Sequence, residues 1–563
     1  MKYPDLLNED IARIGVQYTR KYNLLSGKLI TDVIKTSLGP RGLDKVYIDI
    51  QGDDMITKHG GAFLRKVDVG QPAAKAVIDG ANTVDTHVGD GTISVAVLIG
   101  ALIKQAEDLL EKKIPPAVIV RGYNKAAEIA QEILWQIAQK SNPSDRKILH
   151  NLAISCLKGK AIFNMSADEV PFANLVVDAI CTITDFEKNK LDVDDIKIEQ
   201  KLGNMSEIKL VKGIIIDKTI DNYAMPTSIE NAKILLTNDF LENMRPKTED
   251  QITITTPEQM SLFHKEISNN IISKVKKIVE CGANVVISRK GIDNIAQEAL
   301  AKAGIISMRR VKSNDLWWVE KATGAKTCKS LEDISLDDLG HAKKVYQKMV
   351  GDDKMVFVDG CSNPKSVTLL LRANSFRYLD EFHRTALNAI YVLRDFIEKP
   401  FIVRGGGAPE AIIARKIREK SYEIEGREQL VVEKFADAIE EIPITLARNA
   451  GMDPIDTLTE LRSKHAKFTN GKFRWFGIDS AKRMVNETNS NVIEPVVVKE
   501  QIIKTAVEVT NMILNVDDVF MRDEIDNTHC HIDGTVHAHK DGGKSHNHFE
   551  QEGLEQRQMH HYY

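Results

Sequence analysis

Three clusters rich in glycine contain the residues with the clearest capacity for chemistry. They read TSLGPRGLDK (36–45), VGDGTIS (88–94) and VRGGGAPE (403–410). Glycine lets backbone N–H groups come close to a phosphate, and a helix that starts just after such a loop adds a positive dipole. Each cluster alone is equally explained by an ordinary turn between a helix and a strand. Phosphate binding is therefore one of two interpretations of these loops.

Asp90 lies between two glycines of the second cluster, just before a long apolar segment with helical spacing. Mg²⁺ is commonly held by one or two carboxylates together with phosphate oxygens and water, so this carboxylate suits a phosphate-bound Mg²⁺. Thr92 or Ser94 has a simpler interpretation as the N-cap of the following helix. The cluster thus predicts a helix start and, where phosphate binds, a metal ligand.

Further potential metal ligands lie near the end of the sequence. From about residue 521 the composition becomes polar, and this segment holds eight of the fifteen histidines: His529, His531, His537, His539, His546, His548, His560 and His561. Imidazoles two residues apart can bind Ni²⁺, Zn²⁺ or Cu²⁺, but no fixed tetrahedral spacing is present. We predict a disordered His-rich tail at 523–563 and assign it no structural metal.

The spacing of apolar residues indicates the elements that must position these loops. Apolar residues recur every three or four positions over about 99–140, and Pro115 with Pro116 should divide that segment into two helices. Between about 210 and 370, short β-rich runs alternate with helical stretches, which predicts an inserted α/β domain. Helical spacing returns after Gly405. The two ends of the sequence can therefore share one mainly helical domain.

Length and composition restrict the class of protein. The 563 residues are 43% hydrophobic and 28% charged, which is usual for a globular protein of about three or four domains. The 76 Lys and Arg against 80 Asp and Glu give a net charge of −4, so no overall positive field favours nucleic acid. Six cysteines without a CxxC pair favour a reducing, cytoplasmic compartment. An acidic N-terminal segment and the lack of an apolar stretch of ~18 residues argue against secretion and membrane insertion.

The three clusters stand in the order and approximate spacing of one known family. Further matching segments are QPAAKAVIDGANTVDTHVGDGT (71–92), GIIIDK (213–218), MPTSIENAKI (225–234), GANVVISRKGID (282–293), KATGAK (321–326), NAGMDPID (449–456), GID (477–479) and VIEP (492–495). Together they cover about residues 10–520. On these motifs the sequence resembles the group II chaperonins, which comprise the archaeal thermosomes and the eukaryotic cytosolic chaperonin, and it is closer to the archaeal members.

The resemblance implies a multidomain chaperonin fold. It comprises a mainly α-helical equatorial domain that binds ATP, a small intermediate hinge domain, and an α/β apical domain that binds substrate and carries a helical protrusion as a lid. The corresponding boundaries are 1–141 and 399–522 for the equatorial domain, 142–209 and 371–398 for the intermediate domain, and 210–370 for the apical domain, with the protrusion at about 238–270. Leu241, Met244 and Met260 are candidate apolar contacts of the protrusion, and ordinary helix packing explains each of them equally well.

The resemblance also implies a pocket for the cofactors ATP and Mg²⁺. The matching positions are Leu38, Gly39, Pro40, Gly89, Asp90, Gly91, Thr92, Ile93, Lys160, Gly406, Gly407, Asp479 and Glu494. By resemblance, Asp90 is the Mg²⁺ ligand, Lys160 senses the terminal phosphate and Glu494 contacts the ribose. Near Lys160, the positions of the family's usual threonine and second glycine are Lys158 and Ala161.

Two positions that the family uses for catalysis are substituted. The family usually has one aspartate in a segment like ITNDGAT and another in a segment like LHDAL, and both orient and activate the attacking water. Here the segments read ITKHGGA (56–62) and ALNAI (386–390), so His59 and Asn388 occupy the catalytic positions. Asparagine cannot accept a proton and histidine is neutral or positive, while general-base help is worth roughly 10²–10⁴-fold in rate. LLLRANS (369–375) also replaces paired glycines near the apical hinge.

Two outcomes are open for hydrolysis despite these substitutions. His59 or a nearby acid, Asp380 or Glu381, can take over the role of the missing aspartates. Alternatively, Mg²⁺ and positioning alone can give slow turnover.

We therefore predict an ATP-dependent protein-folding chaperonin subunit, an ATP hydrolase that binds unfolded proteins in a double-ring chamber closed by nucleotide-driven lid motion. Its expected partners are non-native client proteins and other chaperonin subunits in a homo- or hetero-oligomeric ring, with neither nucleic acid nor membrane. The alternative is a nucleotide-binding structural or holdase subunit of a mixed ring, impaired in hydrolysis because His59 and Asn388 replace the water-activating aspartates.

Overall fold

The computed structural model describes most of the chain, which forms two compact units. The larger unit comprises Asn23–Asn515, and the smaller one combines Met1–Tyr22 with Val516–Tyr563. The described residues are 11–14, 16–52, 54–158, 160, 169–242, 256–362, 364–466, 474–488, 490–517, 519–522, 528–530 and 536–538.

Helices make up most of the first and last thirds of the described sequence. They are α1 (Val16–Lys35), α2 (Gly60–Lys66), α3 (Pro72–Val88), α4 (Thr92–Glu111), α5 (Pro116–Ile137), α6 (Arg146–Leu157), α7 (Glu169–Ile183), α8 (Pro257–Glu280), α9 (Asn294–Lys302), α10 (Ser313–Thr323), α11 (Phe376–Glu398), α12 (Ala408–Ser421), α13 (Glu428–Ile439), α14 (Glu441–Asn449), α15 (Pro454–Ala466) and α16 (Val496–Asn515). The predicted division at Pro115 and Pro116 is present, because proline fits the first turn of α5 and not the interior of a helix. In these described ranges, no helix combines the length and apolar character needed to span a membrane.

Strands are concentrated in the middle of the described sequence. They are β1 (Ile11–Ile14), β2 (Lys45–Ile48), β3 (Asp54–Thr57), β4 (Gln139–Lys140), β5 (Ile196–Leu202), β6 (Lys209–Val211), β7 (Gly213–Ile216), β8 (Ser228–Thr237), β9 (Val285–Ser288), β10 (Ile306–Met308), β11 (Thr327–Cys328), β12 (Gly340–Val350), β13 (Asp353–Asp359), β14 (Val367–Ala373), β15 (Phe401–Arg404), β16 (Phe476–Asp479), β17 (Met484–Glu487), β18 (Ile493–Pro495), β19 (Val519–Arg522), β20 (Thr528–Cys530) and β21 (Val536–Ala538).

The smaller unit contains two antiparallel strand pairs. β1 pairs with β19, and β20 pairs with β21. Apart from β20 and β21, the His-rich tail predicted at 523–563 lies outside the described residues.

Residues from both ends of the larger unit share one apolar core. Its side chains come from the stretch between Leu24 and Ile137 and the stretch between Val403 and Leu514. Helix α4 passes through this core, and α3, α5, α13 and α16 pack against it. Leu98, Ile99 and Leu102 of α4 have no exposed surface. Each such side chain contributes about 1.5–3 kcal/mol by leaving water, so the apolar spacing of α4 holds the glycine cluster at its start in place.

A second apolar core joins α6, α7 and α11 to a three-stranded sheet. The strand order is β5-β14-β6, with β14 parallel to β5 and antiparallel to β6. Most of its side chains come from 149–196 and 367–402. Only Asn374 and Ser375 separate β14 from α11, and Ser375 caps the helix by accepting the N–H of Tyr378.

A seven-stranded mixed sheet carries the α/β part of the larger unit. Its order is β10-β9-β8-β12-β13-β7, with β11 beside β8. Side chains alternate across it: Ile234 and Leu236 enter one apolar core, and Leu235 enters the core on the opposite face. Helices cover both faces, as is usual for a sheet that is apolar on both sides. This is the mixed architecture predicted for about 210–370.

The predicted protrusion at about 238–270 is described in part. Residues 243–255, including Met244, lie outside the described residues. Leu241 is fully buried beside Ile292, so it belongs to the apolar core and its interpretation as an exposed contact is wrong. Met260 lies on α8 and is 45% exposed.

Candidate nucleotide site

Helix α14 connects the first and third glycine clusters. The side-chain amide of Asn449 donates to the carbonyls of Lys35 and Leu38, at 3.0 and 2.9 Å, and so fixes the start of the first cluster. Pro443, at the other end of α14, packs so closely on Gly407 that a Cβ added to Gly407 would lie 2.7 Å from it. Two loops that are about 370 residues apart in the sequence therefore flank one short helix.

Helix α16 connects the second and third clusters. Gly91 packs against Ile502, 2.7 Å from the position that a Cβ would take. Lys499 is buried and lies 2.8 Å from a carboxylate oxygen of Glu410 and 2.7 Å from one of Glu494. Burial opposes the charge on Lys499, but the two carboxylates outweigh it and raise its pKa. Burial likewise raises the pKa of Glu494 despite the nearby ammonium.

Asp90 lies in the two-glycine turn between α3 and α4. Gly91 is the N-cap of α4 with a φ of 88°, a left-handed conformation that glycine adopts without steric cost. The Asp90 carboxylate accepts the Gly91 N–H at 2.8 Å. The expectation that Thr92 or Ser94 caps the helix is wrong: Thr92 is the first helical residue and its side chain is buried, because the turn places Gly91 at the cap.

Lys160 lies just after α6 and interacts with several carboxylates from other parts of the chain. Burial favours its neutral form, but the charges of Asp90, Glu381 and Asp85 outweigh burial and raise the pKa of the amine. Lys160 therefore remains an ammonium at neutral pH, and Asp90 is the largest of the charges that keep it so. An ammonium that senses a carboxylate at a helix start suits a phosphate with its metal ion.

His59 is buried and both of its ring nitrogens have protein neighbours. Nδ1 accepts the N–H of Ala62, so His59 is the N-cap of α2 and the ring proton is assigned to Nε2. Nε2 lies 3.1 Å from Oδ1 of Asp85. Burial raises the pKa of Asp85, but His59 and Arg65 outweigh burial and lower it. Gly61 makes room for this pair, since a Cβ there would lie 2.7 Å from Asp85 Oδ2.

Asn388 and Glu381 lie two turns apart on α11, and hence on the same face of the helix. Both are buried, and within the described part of the chain Asn388 Nδ2 and Glu381 Oε1 have no hydrogen-bond partner. The other oxygen of Glu381 accepts from Thr57 Oγ1 at 2.8 Å and from Arg384. Thr57 Oγ1 in turn accepts the backbone N–H of His59 at 2.9 Å. Of the two nearby acids, Glu381 is thus linked to the His59 segment, whereas Asp380 is exposed.

The remaining predicted positions border the same loops. Pro40 accepts a hydrogen bond from Lys58 at 3.2 Å. Ile93 and Thr92 lie against Gly60 at the start of α2.

The third cluster meets the β16–β17 hairpin. The carbonyl of Gly406 accepts the N–H of Ile478 at 2.8 Å. The next residue, Asp479, accepts the N–H groups of Ala481 and Lys482, so its carboxylate stabilises its own turn. Asp479 therefore lies beside the third cluster, but its carboxylate bonds to the backbone of its own hairpin.

The donor set fits ATP with Mg²⁺. Within the described ranges, no three His, Cys, Asp or Glu side chains converge as a complete metal site. A Mg²⁺ ion at Asp90 would be completed by phosphate oxygens and water, which is its usual coordination beside nucleotides. Glycine, with no Cβ, lets a phosphate come close to the backbone of these turns. The buried amide donor of Asn388 suits an oxygen ligand.

Comparison with known proteins identifies the family to which this fold belongs. The sequence model of the TCP-1/cpn60 chaperonin family matches residues 30–524. The chain belongs to this chaperonin family.

Archaeal thermosome subunits are similar to this chaperonin over nearly their whole length. The thermosome subunit of Methanopyrus kandleri is 42% identical over 525 residues, covering 92% of this chain and 95% of the relative. That of Pyrococcus horikoshii is 40% identical, covering 92% and 94%. Thermosome subunit beta of Archaeoglobus fulgidus is 42% identical, covering 91% and 94%. The predicted relationship to group II chaperonins of the archaeal type is confirmed.

The sequence motifs of this chaperonin did not predict three charged residues that lie next to the expected site positions. Glu410 and Lys499 form the buried cluster with Glu494, and Lys58 is buried beside the first glycine loop. Glu410 is part of GGGAPE, and Lys58 is part of ITKHGGA, so both stand inside matched segments. Lys499 carries no local signal, because its partners come from other segments.

Proposed function

We propose that this chain is an ATP-dependent protein-folding subunit, which binds non-native proteins in a double-ring chamber and closes it by nucleotide-driven lid motion. The observation that carries the proposal is that all three glycine clusters pack against α14 and α16, with Asp90 in the turn before α4. The charge of Asp90, the carboxylate expected at Mg²⁺, also raises the pKa of Lys160, the amine expected at the terminal phosphate. Membership of the chaperonin family supports the same activity.

The site residues would divide the binding of Mg-ATP among them. Asp90 would hold Mg²⁺, which, when bound, neutralises phosphate charge and polarises the terminal phosphoryl group. Lys160 would neutralise the terminal phosphate, and the backbone N–H groups of Gly39, Asp90 and Gly407 would approach the phosphate chain. The buried cluster of Lys499, Glu410 and Glu494 would support the ribose end, where Glu494 is the expected contact.

Assembly with other subunits is part of the proposal. Archaeoglobus fulgidus has relatives named thermosome subunit alpha and thermosome subunit beta. Two kinds of subunit in one organism support a ring with more than one kind of chain. Unfolded or non-native proteins are the proposed clients, and Met260 on α8 is a proposed apolar contact.

A second candidate function is a nucleotide-binding structural or holdase subunit of a mixed ring, impaired in hydrolysis. The surroundings of His59 favour it, because Nδ1 caps α2 and Nε2 faces Asp85, which leaves neither nitrogen to accept a proton from water. Asn388 offers an amide donor where a carboxylate acceptor is needed. Glu381 is the remaining buried acid that can support turnover.

Single-turnover ATP hydrolysis by the purified full-length chain separates the two functions, with nucleotide binding measured independently by calorimetry. The variants are Asn388→Asp and His59→Asp, with Asn374→Asp as a matched control, since Asn374 is exposed before α11. If the unmodified chain binds ATP but hydrolyses only after Asn388→Asp, roughly 10²-fold faster, it is the impaired subunit. Efficient hydrolysis by the unmodified chain supports the active chaperonin.

Failure to bind ATP under any of these conditions would reject both functions. A refolding assay with a denatured client adds an independent readout. The active subunit should release folded client with ATP, whereas the holdase should suppress aggregation without release.

A further inference from the structure

The two faces of the three-stranded sheet differ in chemistry. Val367, Leu369 and Leu371 of β14 enter the apolar core that this sheet shares with α6, α7 and α11. Side chains alternate along a strand, so the residues between them lie on the opposite face. That face meets the seven-stranded sheet and carries mainly polar and charged side chains: Lys197, Glu199 and Lys201 of β5, and Thr368, Leu370 and Arg372 of β14. One face is therefore suited to permanent packing, whereas the other can exchange ion pairs for water.

One end of this interface, around Lys197, is buried and hydrogen-bonded to the seven-stranded sheet. Strand β7 is the edge strand of that sheet, and its backbone needs partners from elsewhere. Lys197 Nζ donates to the carbonyl of Ile215 at 2.7 Å and lies 2.5 Å from Asp315 Oδ1 of α10. Thr368 Oγ1 accepts the N–H of Ile215 at 3.2 Å and donates to the carbonyl of Gly213 at 3.0 Å. Separation at this end would leave buried polar groups unpaired, which is costly.

The other end of the interface, around Lys201, is held by exposed ion pairs. Lys201 is four residues along β5 from Lys197, which corresponds to about 13 Å. Its Nζ lies 3.1 Å from Asp217 Oδ2, just after β7, and 2.7 Å from Asp353 Oδ2 of β13. The two aspartate side chains are 48% and 59% exposed, so water and dissolved ions can replace these contacts at little cost. This end can therefore open without leaving buried polar groups unpaired.

A small apolar cluster lies between the two sheets. It consists of Val211, Ile215, Val350, Met355, Phe357 and Leu370. Met355 has no exposed surface and stands two residues after Asp353 on the same face of β13. Water that enters beside the ion pairs of Lys201 would therefore reach Met355.

Arg372 stiffens the Lys201 end of the three-stranded sheet. It belongs to LLLRANS (369–375), the segment that replaces the family's paired glycines. Its buried guanidinium donates to the carbonyl of Leu202, the last residue of β5, at 2.7 Å. This contact joins β14 to β5 in addition to their ladder. Movement at this end is therefore expected between the two sheets, at the ion pairs of Lys201, and not within the three-stranded sheet.

We propose that the interface between the two sheets opens at one end. The seven-stranded sheet turns about the contacts of Lys197 and separates from the three-stranded sheet at the ion pairs of Lys201. Asp217 and Asp353 hold the closed arrangement, and ionic strength sets how often it opens. This device belongs to the chain itself, needs no nucleotide and does not depend on the proposed function.

Oxidation of Met355 by hydrogen peroxide measures this opening in the full-length chain, because a buried thioether reacts when solvent reaches it. Peptide mass spectrometry quantifies the sulfoxide. Met308 is the internal reference, since it also has no exposed surface but lies in the apolar core on the other face of the seven-stranded sheet. The variant is Lys201→Gln, which removes the charge and keeps a polar side chain. Lys354→Gln is the matched control, because Lys354 is exposed on β13 next to Asp353.

The ion pairs of Lys201 predict a specific response to charge and salt. At about 0.05 M salt, Lys201→Gln should oxidise Met355 about fivefold faster than the unmodified chain, and Lys354→Gln less than about twofold faster. Raising the salt to about 0.5 M should accelerate Met355 oxidation severalfold in the unmodified chain and leave Lys201→Gln nearly unchanged. Oxidation of Met308 should stay the same throughout.

Hydrogen exchange of the Ile215 amide, resolved by peptide fragmentation, measures the Lys197 end. This N–H donates to Thr368 Oγ1, so Thr368→Val should speed its exchange about tenfold, whereas Thr368→Ser keeps the hydroxyl and should not. Lys201→Gln and added salt should each change this exchange by less than about twofold. The two ends of the interface are thereby measured separately.

Each outcome supports or overturns opening at the Lys201 end. Equal oxidation of Met355 in Lys201→Gln and the unmodified chain, with no effect of salt, overturns it. Equal acceleration of Met355 and Met308 indicates general unfolding and overturns it, as does faster exchange of Ile215 in Lys201→Gln, because both ends would then separate together. If Lys201→Gln does not fold, the salt dependence of Met355 relative to Met308 in the unmodified chain decides: acceleration supports the opening, and a constant rate overturns it. These measurements use no ATP, so neither result alters the proposed function.

Discussion

Nε2 of His59 lies 3.1 Å from Oδ1 of Asp85, and both side chains are buried. Gly61, which stands where the family segment has alanine, gives Asp85 the space to approach. The histidine at a catalytic position is therefore part of a fixed pair, and its replacement changes more than one contact. A variant that restores the family's aspartate at position 59 therefore also removes the contact with Asp85.

Replacing His59 by aspartate should reduce stability. His59→Asp and His59→Asn can both cap α2, but the carboxylate would face Asp85 across a buried contact. Buried like charges repel, so we expect His59→Asp to be about 1–3 kcal/mol less stable than His59→Asn at pH 7, measured by denaturant unfolding. The gap should close when Asp85→Asn is added. A gap that persists in that background would show that charge repulsion is not its cause.

Glu381 should support whatever hydrolysis the unmodified chain performs. Its Oε1 is buried without a hydrogen-bond partner in the described part of the chain, and its charge acts on Lys160. Glu381→Gln should lower the single-turnover rate by roughly 10²-fold while the chain still binds ATP. Asp380→Asn, next in sequence but exposed, should leave the rate as it is. Equal rates in both variants would exclude Glu381 as the base.

The buried ion cluster of α16 should be sensitive to loss of its ammonium. Lys499→Met leaves Glu410 and Glu494 without the positive charge that lies 2.8 and 2.7 Å from them. Removing one partner of a buried ion pair costs about 3–5 kcal/mol, so the denaturation midpoint should fall clearly. Lys504→Met, an exposed change on the same helix, should cost no more than about 0.5 kcal/mol. Comparable losses in the two variants would contradict the importance of the cluster.

Gly91 and Gly52 separate backbone strain from steric contact. Their φ values are 88° and 85°, so alanine incurs a similar cost of about 1–2 kcal/mol at each. A Cβ at Gly91 would also lie 2.7 Å from Ile502, whereas nothing lies within 4 Å at Gly52. Unfolding experiments should therefore find Gly91→Ala the more destabilising, by about 1–3 kcal/mol. Equal effects would mean that Ile502 moves aside without cost.

Asp395 of α11 should make stability depend on pH. Burial raises its pKa to about 7, although Arg394 opposes the shift. Between about pH 4 and 7 the folded chain holds a proton that the unfolded chain releases, so this group's contribution to stability falls as pH rises and is constant above 7. Asp395→Asn should remove a slope of about 1.4 kcal/mol per pH unit in that window. A midpoint shift that is equal at pH 5 and pH 8 would contradict this assignment.

Local signals in the sequence predicted local structure well. Pro115 and Pro116 set the division between α4 and α5, because proline restricts its own backbone wherever the fold places it. The β-rich runs between about 210 and 370 are strands. A strand that is buried on both faces needs an apolar residue at every position, and β-branched residues suit this. The cap at α4 was mispredicted because hydroxyl residues usually cap helices, and here a glycine at φ 88° takes that position.

Contacts between distant segments could not be predicted from the motifs. Lys499, Glu410 and Glu494 meet only because α16, α12 and β18 pack together. Leu241 carries an apolar side chain whether it contacts a client or a core, and tertiary packing alone makes it buried. The roles of Asp90 and Lys160 stay predictions, although the charge of Asp90 is among those that raise the pKa of Lys160.

Helix α11 links the glycine turn at Asp90 to the three-stranded sheet. Tyr391, about two turns before the C-terminal end of α11, packs against Gly89 beside Asp90, and at the N-terminal end only Asn374 and Ser375 join the helix to β14. Fifteen residues of helix span roughly 22 Å, so tilting α11 by about 10° around the Gly89 contact would carry Phe376 through about 4 Å. The displacement caused by such a tilt would therefore be largest at the N-terminal end of α11, where the helix joins β14 of the three-stranded sheet.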